Sequence, residues 1–157
     1  MSKFCSDNPV GSNQKMNDAK IEKKPRILIV EDELESQKYL ELILKKKFQV
    51  DFCDTKKSMY NLLSKQDYQV IVMDISLRDG ANGVELIKEL KRSTSGINTP
   101  IICLSAHAFG EDRLKAEYAG VDVYLTKPIK GQILINAIDE LIATSLAKKN
   151  QIKYRPS

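Results

Sequence analysis

Five short apolar segments alternate with five amphipathic ones between residues 25 and 146, and this alternation constrains the fold more than any other feature of the chain. The apolar segments have the length and the Val and Ile content of β-strands, whereas the segments between them follow the helical repeat. Strict alternation predicts an α/β domain with a parallel sheet covered by helices on both faces. The predicted strands are Arg26–Val30, Phe48–Cys53, Gln69–Met73, Pro100–Leu104 and Val121–Leu125, and the predicted helices are Glu33–Lys46, Thr55–Lys65, Gly83–Arg92, Glu111–Ala119 and Gly131–Leu146.

The side-chain pattern within the strands predicts their order. The first, third and fourth strands are apolar throughout, as in ILIV, VIVM and IICL, which is typical of strands buried on both faces. The second and fifth alternate apolar and polar residues and are therefore placed at the edges. With right-handed crossovers, this predicts the five-stranded, doubly wound, flavodoxin-like order 2-1-3-4-5. Connections then reverse between strands 1 and 3, and a site is expected at their carboxyl ends.

Composition changes at both ends of the predicted domain. Residues 1–24 are polar without periodicity and are interpreted as a flexible leader, residues 25–146 as the folded domain, and residues 147–157 as a basic tail. The net charge of +4 comes from the ends, because residues 25–143 hold 16 basic and 18 acidic residues. We therefore expect no direct contact with nucleic acid. No apolar run approaches the ~18 residues of a membrane helix, so we expect no membrane contact and a cytoplasmic location.

Charged and hydroxyl side chains follow the strands at the predicted switch point. Glu31 and Asp32 follow strand 1, Asp74 follows strand 3, Ser105 follows strand 4, and Lys127 follows strand 5. Each alone is commonly a helix cap or a solvated charge. Together, however, the carboxylates would raise each other's pKa, which a divalent cation and the Lys127 ammonium would offset. Oxygen ligands of this kind suit Mg²⁺, and a central carboxylate among such groups can act as a nucleophile toward a phosphoryl group.

The four motifs LIVEDE, VIVMDISL, IICLSA and YLTKPI carry these residues in order, each at the end of its own strand. In this arrangement the chain resembles the receiver domains of response regulators in two-component signalling, over residues 25–146. The resemblance implies that Asp74 is the phosphoacceptor and that Mg²⁺ or Mn²⁺ is the cofactor. Its implied ligands are Asp74, Asp32, Glu31 as a neighbouring acid that often acts through water, and the main-chain carbonyl of Ser76.

The resemblance also implies which residues contact the phosphoryl group and respond to it. Lys127 matches the lysine that pairs with it, Ser105 the hydroxyl that hydrogen-bonds it, and Tyr124 the aromatic that turns inward afterwards. An ordinary half-covered aromatic on an edge strand remains the alternative for Tyr124. The implied phosphoryl donor is a histidine kinase or a histidine phosphotransfer protein. Since AKKNQIKYRPS is too short for a DNA-binding domain, we expect contact with a downstream protein or onward phosphotransfer as the output.

The chain departs from the family pattern at three places. The loop after Asp74 reads ISLRDGANG, where the usual proline is missing and Arg78 stands near its place. Glu31 replaces the commoner Asp, and Ser105 replaces the commoner Thr. His107, the single histidine, and Ser76 occupy positions that tune dephosphorylation in the family.

Three other functions remain open at this point. A flavin or nucleotide binder of the same fold would need a small-residue phosphate loop after strand 1, where this chain has Glu-Asp-Glu. An aspartyl-phosphate hydrolase would need a second Asp at position 76, which is Ser. A pseudo-receiver that acts without phosphorylation is disfavoured by the complete acidic set, although the altered loop leaves this function open.

Overall fold

A computed structural model describes residues 22–77, 82–93, 98–108 and 110–153, with side chains up to residue 151. The predicted leader is therefore outside the described residues except at its end, as are residues 78–81 of the altered loop, which include Arg78. The strands are β1 (Arg26–Val30), β2 (Gln49–Cys53), β3 (Val70–Asp74), β4 (Ile101–Ser105) and β5 (Val123–Thr126), and the helices are α1 (Leu34–Leu44), α2 (Lys56–Lys65), α3 (Gly83–Arg92), α4 (Glu111–Ala119) and α5 (Gly131–Lys153).

The strands form one parallel sheet in the order β2-β1-β3-β4-β5, which confirms the predicted order. The β3 and β4 strands are buried along their whole length, whereas every residue of β5 is only half-buried. This difference is the physical reason for the contrast between continuous and alternating apolar patterns in the sequence.

Two apolar layers enclose the sheet. The layer on the α1 and α5 side includes Leu40 and Leu44 of α1 and Leu134 and Ile138 of α5. The opposite layer receives most of its helical residues from α3, which buries Val84, Leu86, Ile87 and Leu90. At about 25 cal/mol per Å² of buried apolar surface, these layers provide the main driving force for folding.

Several element boundaries differ from the predictions. Asp74 and Ser105 are the last residues of β3 and β4 rather than the first residues after them, because their backbones continue the hydrogen-bonded ladder. Strand β5 begins at Val123, later than the predicted Val121. Helix α5 continues past the predicted end at Leu146 to Lys153, so part of the predicted basic tail is helical. In the part of the chain that the structure describes, no helix combines the length and apolar character needed to cross a bilayer.

Candidate functional site

The switch point between β1 and β3 places two carboxylates and one ammonium together. Glu31 directly follows β1 and Asp74 ends β3, and their exposed fractions are only 1% and 5%. The Lys127 ammonium, which follows β5, lies 2.9 Å from Glu31 Oε2 and also hydrogen-bonds to Asp74 Oδ2. The convergence of Glu31, Asp74 and Lys127 that the sequence predicts is therefore present in the structure.

Backbone amides hold the second oxygen of each carboxylate. The amide of Glu33 donates to Glu31 Oε1 at 2.9 Å, and the amide of Ser76 donates to Asp74 Oδ1 at 2.7 Å. Both bonds span two residues, the spacing of a turn that a side chain closes on its own backbone. Each carboxylate is thus oriented by its own loop and joined to the other through Lys127.

The charges in this cluster do not balance. Burial raises the pKa of the Glu31 carboxyl above its ordinary value, and the hydrogen bonds from Glu33 and Lys127 lower it only in part. Burial lowers the pKa of the Lys127 ammonium, but the hydrogen bonds to Asp74 and Glu31 outweigh burial and raise it overall. Lys127 therefore stays protonated, and one ammonium faces two buried carboxylates, an arrangement that favours an additional cation.

Asp32 and Ser76 complete the set of predicted metal ligands. Asp32 is half-buried beside Glu31, and Ser76 is exposed just past Asp74. Within the described ranges, no three His, Cys, Asp or Glu side chains are grouped closely enough to hold a metal ion by themselves. The donors are nonetheless all hard oxygens in a negatively charged pocket. They fit Mg²⁺ or Mn²⁺, since Mg²⁺ usually takes one or two carboxylates and keeps several waters.

Ser105 and Tyr124 are linked through the loop that follows β4. Ser105 is fully buried, and its Oγ accepts a hydrogen bond from the amide of His107 at 3.0 Å. The Tyr124 hydroxyl donates to the carbonyl of His107 at 2.7 Å. The Arg113 guanidinium of α4 lies 5.7 Å from the centre of the Tyr124 ring. These contacts connect Ser105 through the backbone of His107 to Tyr124, and the Tyr124 ring to Arg113 near the start of α4.

Sequence reasoning missed the contacts that α1 makes with the segments that follow β1 and β5. The Gln37 side-chain amide donates to the carbonyl of Glu31 at 2.6 Å, and the Tyr39 hydroxyl donates to the carbonyl of Ile129 at 2.8 Å. Polar residues on a surface helix carry no pattern that distinguishes such contacts from ordinary solvation. The spacing of Gln37, four residues after Glu33, indicates only that both lie on one helix face.

A cavity of about 720 Å³ opens beside the site, between α1 and the segment after β5. It gives a partner access to the Lys127 side chain, which is 28% exposed. Its lining residues are Glu31, Glu33, Glu35, Ser36, Tyr39, Leu40, Leu104, Lys127, Pro128 and Ile129. The peptide bond between Lys127 and Pro128 is cis.

Comparison with known proteins identifies the class. Residues 27–139 match the family model of the response regulator receiver domain. The chain is 32% identical to the regulatory protein VanRB of Enterococcus faecalis over 130 residues, covering 81% of this chain and 57% of that protein. It is 34% identical to the transcriptional regulatory protein CusR of Escherichia coli K12 over 123 residues, covering 78% and 53%. The chain thus spans about half the length of these relatives.

The solved structures agree with this family. The receiver domain of the sensor histidine kinase PA1611 from Pseudomonas aeruginosa, described with a magnesium ion coordinated in its active-site cleft, superposes with a TM-score of 0.70. The two are 29% identical, and the match covers 76% of this chain and 98% of that domain. The fold, the site and these matches define a receiver domain of two-component signalling. The chain belongs to the response regulator receiver family.

Proposed function

We propose that this receiver domain takes a phosphoryl group onto Asp74 from a phosphohistidine of a histidine kinase or histidine phosphotransfer protein. The observation that carries this proposal is the buried Asp74 carboxylate, held by the Ser76 amide and the Lys127 ammonium at the switch point of the sheet. The domain then acts as a signalling phosphoacceptor rather than as an enzyme with steady turnover. We place it in the cytoplasm, where ATP is available to kinases.

The chemistry follows from the positions of the charges. A carboxylate oxygen of Asp74 attacks phosphorus, a new P–O bond forms, and the P–N bond to the donor histidine breaks as its imidazole leaves. The Lys127 ammonium, already bound to Asp74, neutralises charge on the transferred group. Because phosphoryl transfer requires mainly positioning and charge neutralisation, no general base is needed among these residues.

A divalent cation completes the proposed site. Asp32 and Asp74 would hold Mg²⁺ or Mn²⁺ directly, with the main-chain carbonyl of Ser76, and Glu31 would contribute through water. When bound, the cation supplies positive charge against the phosphoryl oxygens. The excess of carboxylate over ammonium charge around Glu31 supports this assignment.

The path to the output surface begins at Ser105. Its hydroxyl would turn toward a phosphate oxygen on Asp74. This rotation would break or weaken the hydrogen bond that Ser105 Oγ accepts from the His107 amide. Because the Tyr124 hydroxyl is tied to the same residue, the ring would be released to turn inward. The surface of α4, β5 and α5 would then present a different set of contacts to a downstream protein.

Phosphorylation by a small donor tests the proposal. The full chain is incubated with acetyl phosphate and Mg²⁺, and its intact mass is measured. We expect one phosphoryl adduct, no adduct with Asp74→Asn, and a normal adduct with Asp67→Asn, which replaces an exposed carboxylate outside the site. An adduct that persists in Asp74→Asn would refute the assignment of Asp74. Absence of any adduct in the wild-type protein would favour a pseudo-receiver.

A further inference from the structure

We propose that Gln37 is a positioning residue for the acidic pair, and that its side-chain amide sets the affinity of the site for a divalent cation. This inference rests on the proposed function, since it concerns the cation that the site would hold. Gln37 lies on α1, outside the set of residues that contribute carboxylate, ammonium or hydroxyl groups to the site.

The argument begins with one short hydrogen bond. Gln37 Nε2 donates to the main-chain carbonyl of Glu31 at 2.6 Å. That carbonyl and the amide of Asp32 belong to the same peptide group, which is planar and turns as one body. A bond that fixes the carbonyl therefore fixes the direction in which the backbone enters Asp32.

Three further contacts of Glu31 act on different atoms. The Glu31 amide donates to the carbonyl of Cys53 at 2.9 Å, which secures the residue on its strand side. The Glu31 carboxylate is bound by the Glu33 amide and by Lys127, which orient the side chain. The bond from Gln37 acts instead on the carbonyl of the peptide between Glu31 and Asp32, which these contacts of Glu31 do not involve.

Positioning matters here because the cation would have few protein ligands. With Asp32 and Asp74 as the proposed direct carboxylate ligands, a displacement of Asp32 would disturb one of two carboxylate contacts with the cation. Mg²⁺ requires a nearly ideal octahedral geometry, so its binding is sensitive to small rotations of a ligating group. Residues that orient ligands by hydrogen bonds commonly alter metal affinity by about ten-fold or more when they are replaced.

Two substitutions separate positioning from electrostatics. Gln37→Met keeps the length and the helix propensity of the side chain but removes the donor. Gln37→Glu also removes the donor and adds a negative charge near the site. If only charge mattered, Gln37→Glu would bind Mg²⁺ more tightly than the wild type. Positioning predicts that both variants bind it more weakly.

The matched control lies in the same turn. The Ser36 hydroxyl donates to Glu33 Oε2 at 2.9 Å, so Ser36→Ala removes a side-chain hydrogen bond from α1 without touching the Glu31 carbonyl. We expect Ser36→Ala to bind Mg²⁺ as the wild type does.

The experiment titrates the full-length proteins with MgCl₂ in a calorimeter and records the backbone amide resonance of Asp32 without metal. For Gln37→Met we expect about ten-fold weaker Mg²⁺ binding, a shifted Asp32 resonance, and phosphorylation by acetyl phosphate that recovers at saturating Mg²⁺. The Asp32 resonance reports the peptide directly and does not depend on metal.

The outcomes distinguish the two proposals. An affinity of Gln37→Met within two-fold of the wild type, or an equal loss in Ser36→Ala, overturns the role of Gln37. If Gln37→Met does not fold, Gln37→Glu decides, and tighter binding by that variant overturns the role as well. Failure of the wild type itself to bind Mg²⁺ or to take a phosphoryl group would instead refute the proposed function.

Discussion

Tyr68 shows what a single buried residue contributes at the far end of the sheet from the site. Its hydroxyl donates to Asp51 Oδ2 at 2.9 Å, and Arg26 binds the same oxygen at 2.8 Å. The three side chains join β1, β2 and the segment before β3. Burial, followed by the hydrogen bond to Asp51, raises the pKa of the Tyr68 phenol well above 10.0.

This shift predicts a pH dependence of stability. Since the folded protein keeps the Tyr68 proton to a higher pH than the unfolded chain, its contribution is complete below pH 10 and is lost as the pH rises further. We expect Tyr68→Phe to lower the free energy of unfolding by about 1 kcal/mol at pH 7 and to flatten the decline above pH 10. Urea denaturation at pH 7 and above pH 10 measures both free energies of unfolding. Tyr118→Phe, at a residue that is 92% exposed, is the control and should change neither value.

The two buried thiols give a second prediction. Burial, reinforced by nearby carboxylates, raises the pKa of both Cys53 and Cys103 to about 12. At pH 8 roughly one thiol in ten thousand is then ionised, and only the thiolate reacts. In a Cys5→Ser background, we expect no labelling by a disulfide reagent in the native state and two labels in urea. Rapid native labelling would contradict the buried positions of these residues.

Residues of the site differed in how far the sequence could predict them. Glu31, Asp74 and Lys127 were predictable because strand ends in a parallel sheet share one edge, which the alternation of elements already implies. The contact of Gln37 was not, because it depends on the rotamer of one side chain and on a backbone carbonyl brought near by tertiary folding. The same holds away from the site for Tyr68, whose partner is the Asp51 carboxylate.

Among the elements, α4 buries little apolar surface. It buries only Ala116 and Ala119, whereas Leu114 is 58% exposed and Tyr118 is 92% exposed. A helix that buries so little apolar surface can be repositioned at low cost, which suits it to a surface that changes on phosphorylation.

Helix α3 is the opposite case, because its first residue fits tightly against the loop that carries Asp74. A Cβ atom at Gly83 would lie 2.5 Å from Ile75 Cα and 2.9 Å from the Asp74 carbonyl oxygen. We expect Gly83→Ala to lower the free energy of unfolding by about 1 to 3 kcal/mol, since backbone atoms must move to admit the methyl group. Thermal unfolding measures the loss.

The control for Gly83→Ala is another glycine at a helix start. At Gly131 an added Cβ would lie 3.3 Å or more from side-chain atoms of Ile43 and would meet no backbone atom as closely, so Gly131→Ala should have a much smaller effect. Equal losses at the two glycines would mean that the close approach at Asp74 is not what makes Gly83 necessary.

The predicted element boundaries were less accurate than the elements themselves. The basic composition after Leu146 suggested a tail, yet α5 continues to Lys153, because lysine is a good helix former and no Pro or Gly intervenes. The start of β5 was placed too early because Val121 is apolar, although its amide bonds back to Ala116 at the end of α4 instead of entering the sheet.

At the scale of the whole molecule, the proposed cation binding would be linked to folding. A ligand that binds only the folded state adds about 2.7 kcal/mol of stability at one hundred times its dissociation constant. We expect MgCl₂ to raise the melting temperature relative to EDTA, because it offsets the carboxylate charge around Glu31. Asp32→Asn should lose most of this rise.

Differential scanning calorimetry with and without metal measures the effect. Asp67→Asn serves as the control, since its carboxylate is exposed and lies outside the site, and it should keep the full rise. If MgCl₂ raised the melting temperature of Asp32→Asn as much as that of the wild type, the cation would be acting elsewhere on the molecule.

The sheet order was predictable in full, since the contrast between buried and alternating strands follows from their positions. That order also determines when, during synthesis, the site becomes complete. Lys127 is separated along the chain by 96 residues from Glu31 and by 53 from Asp74. A nascent chain can align β1 with β3 long before β5 has emerged from the ribosome. Its two carboxylates then repel each other without a counter-charge, so the charge cluster of Glu31, Asp74 and Lys127 is complete only when the last strand docks.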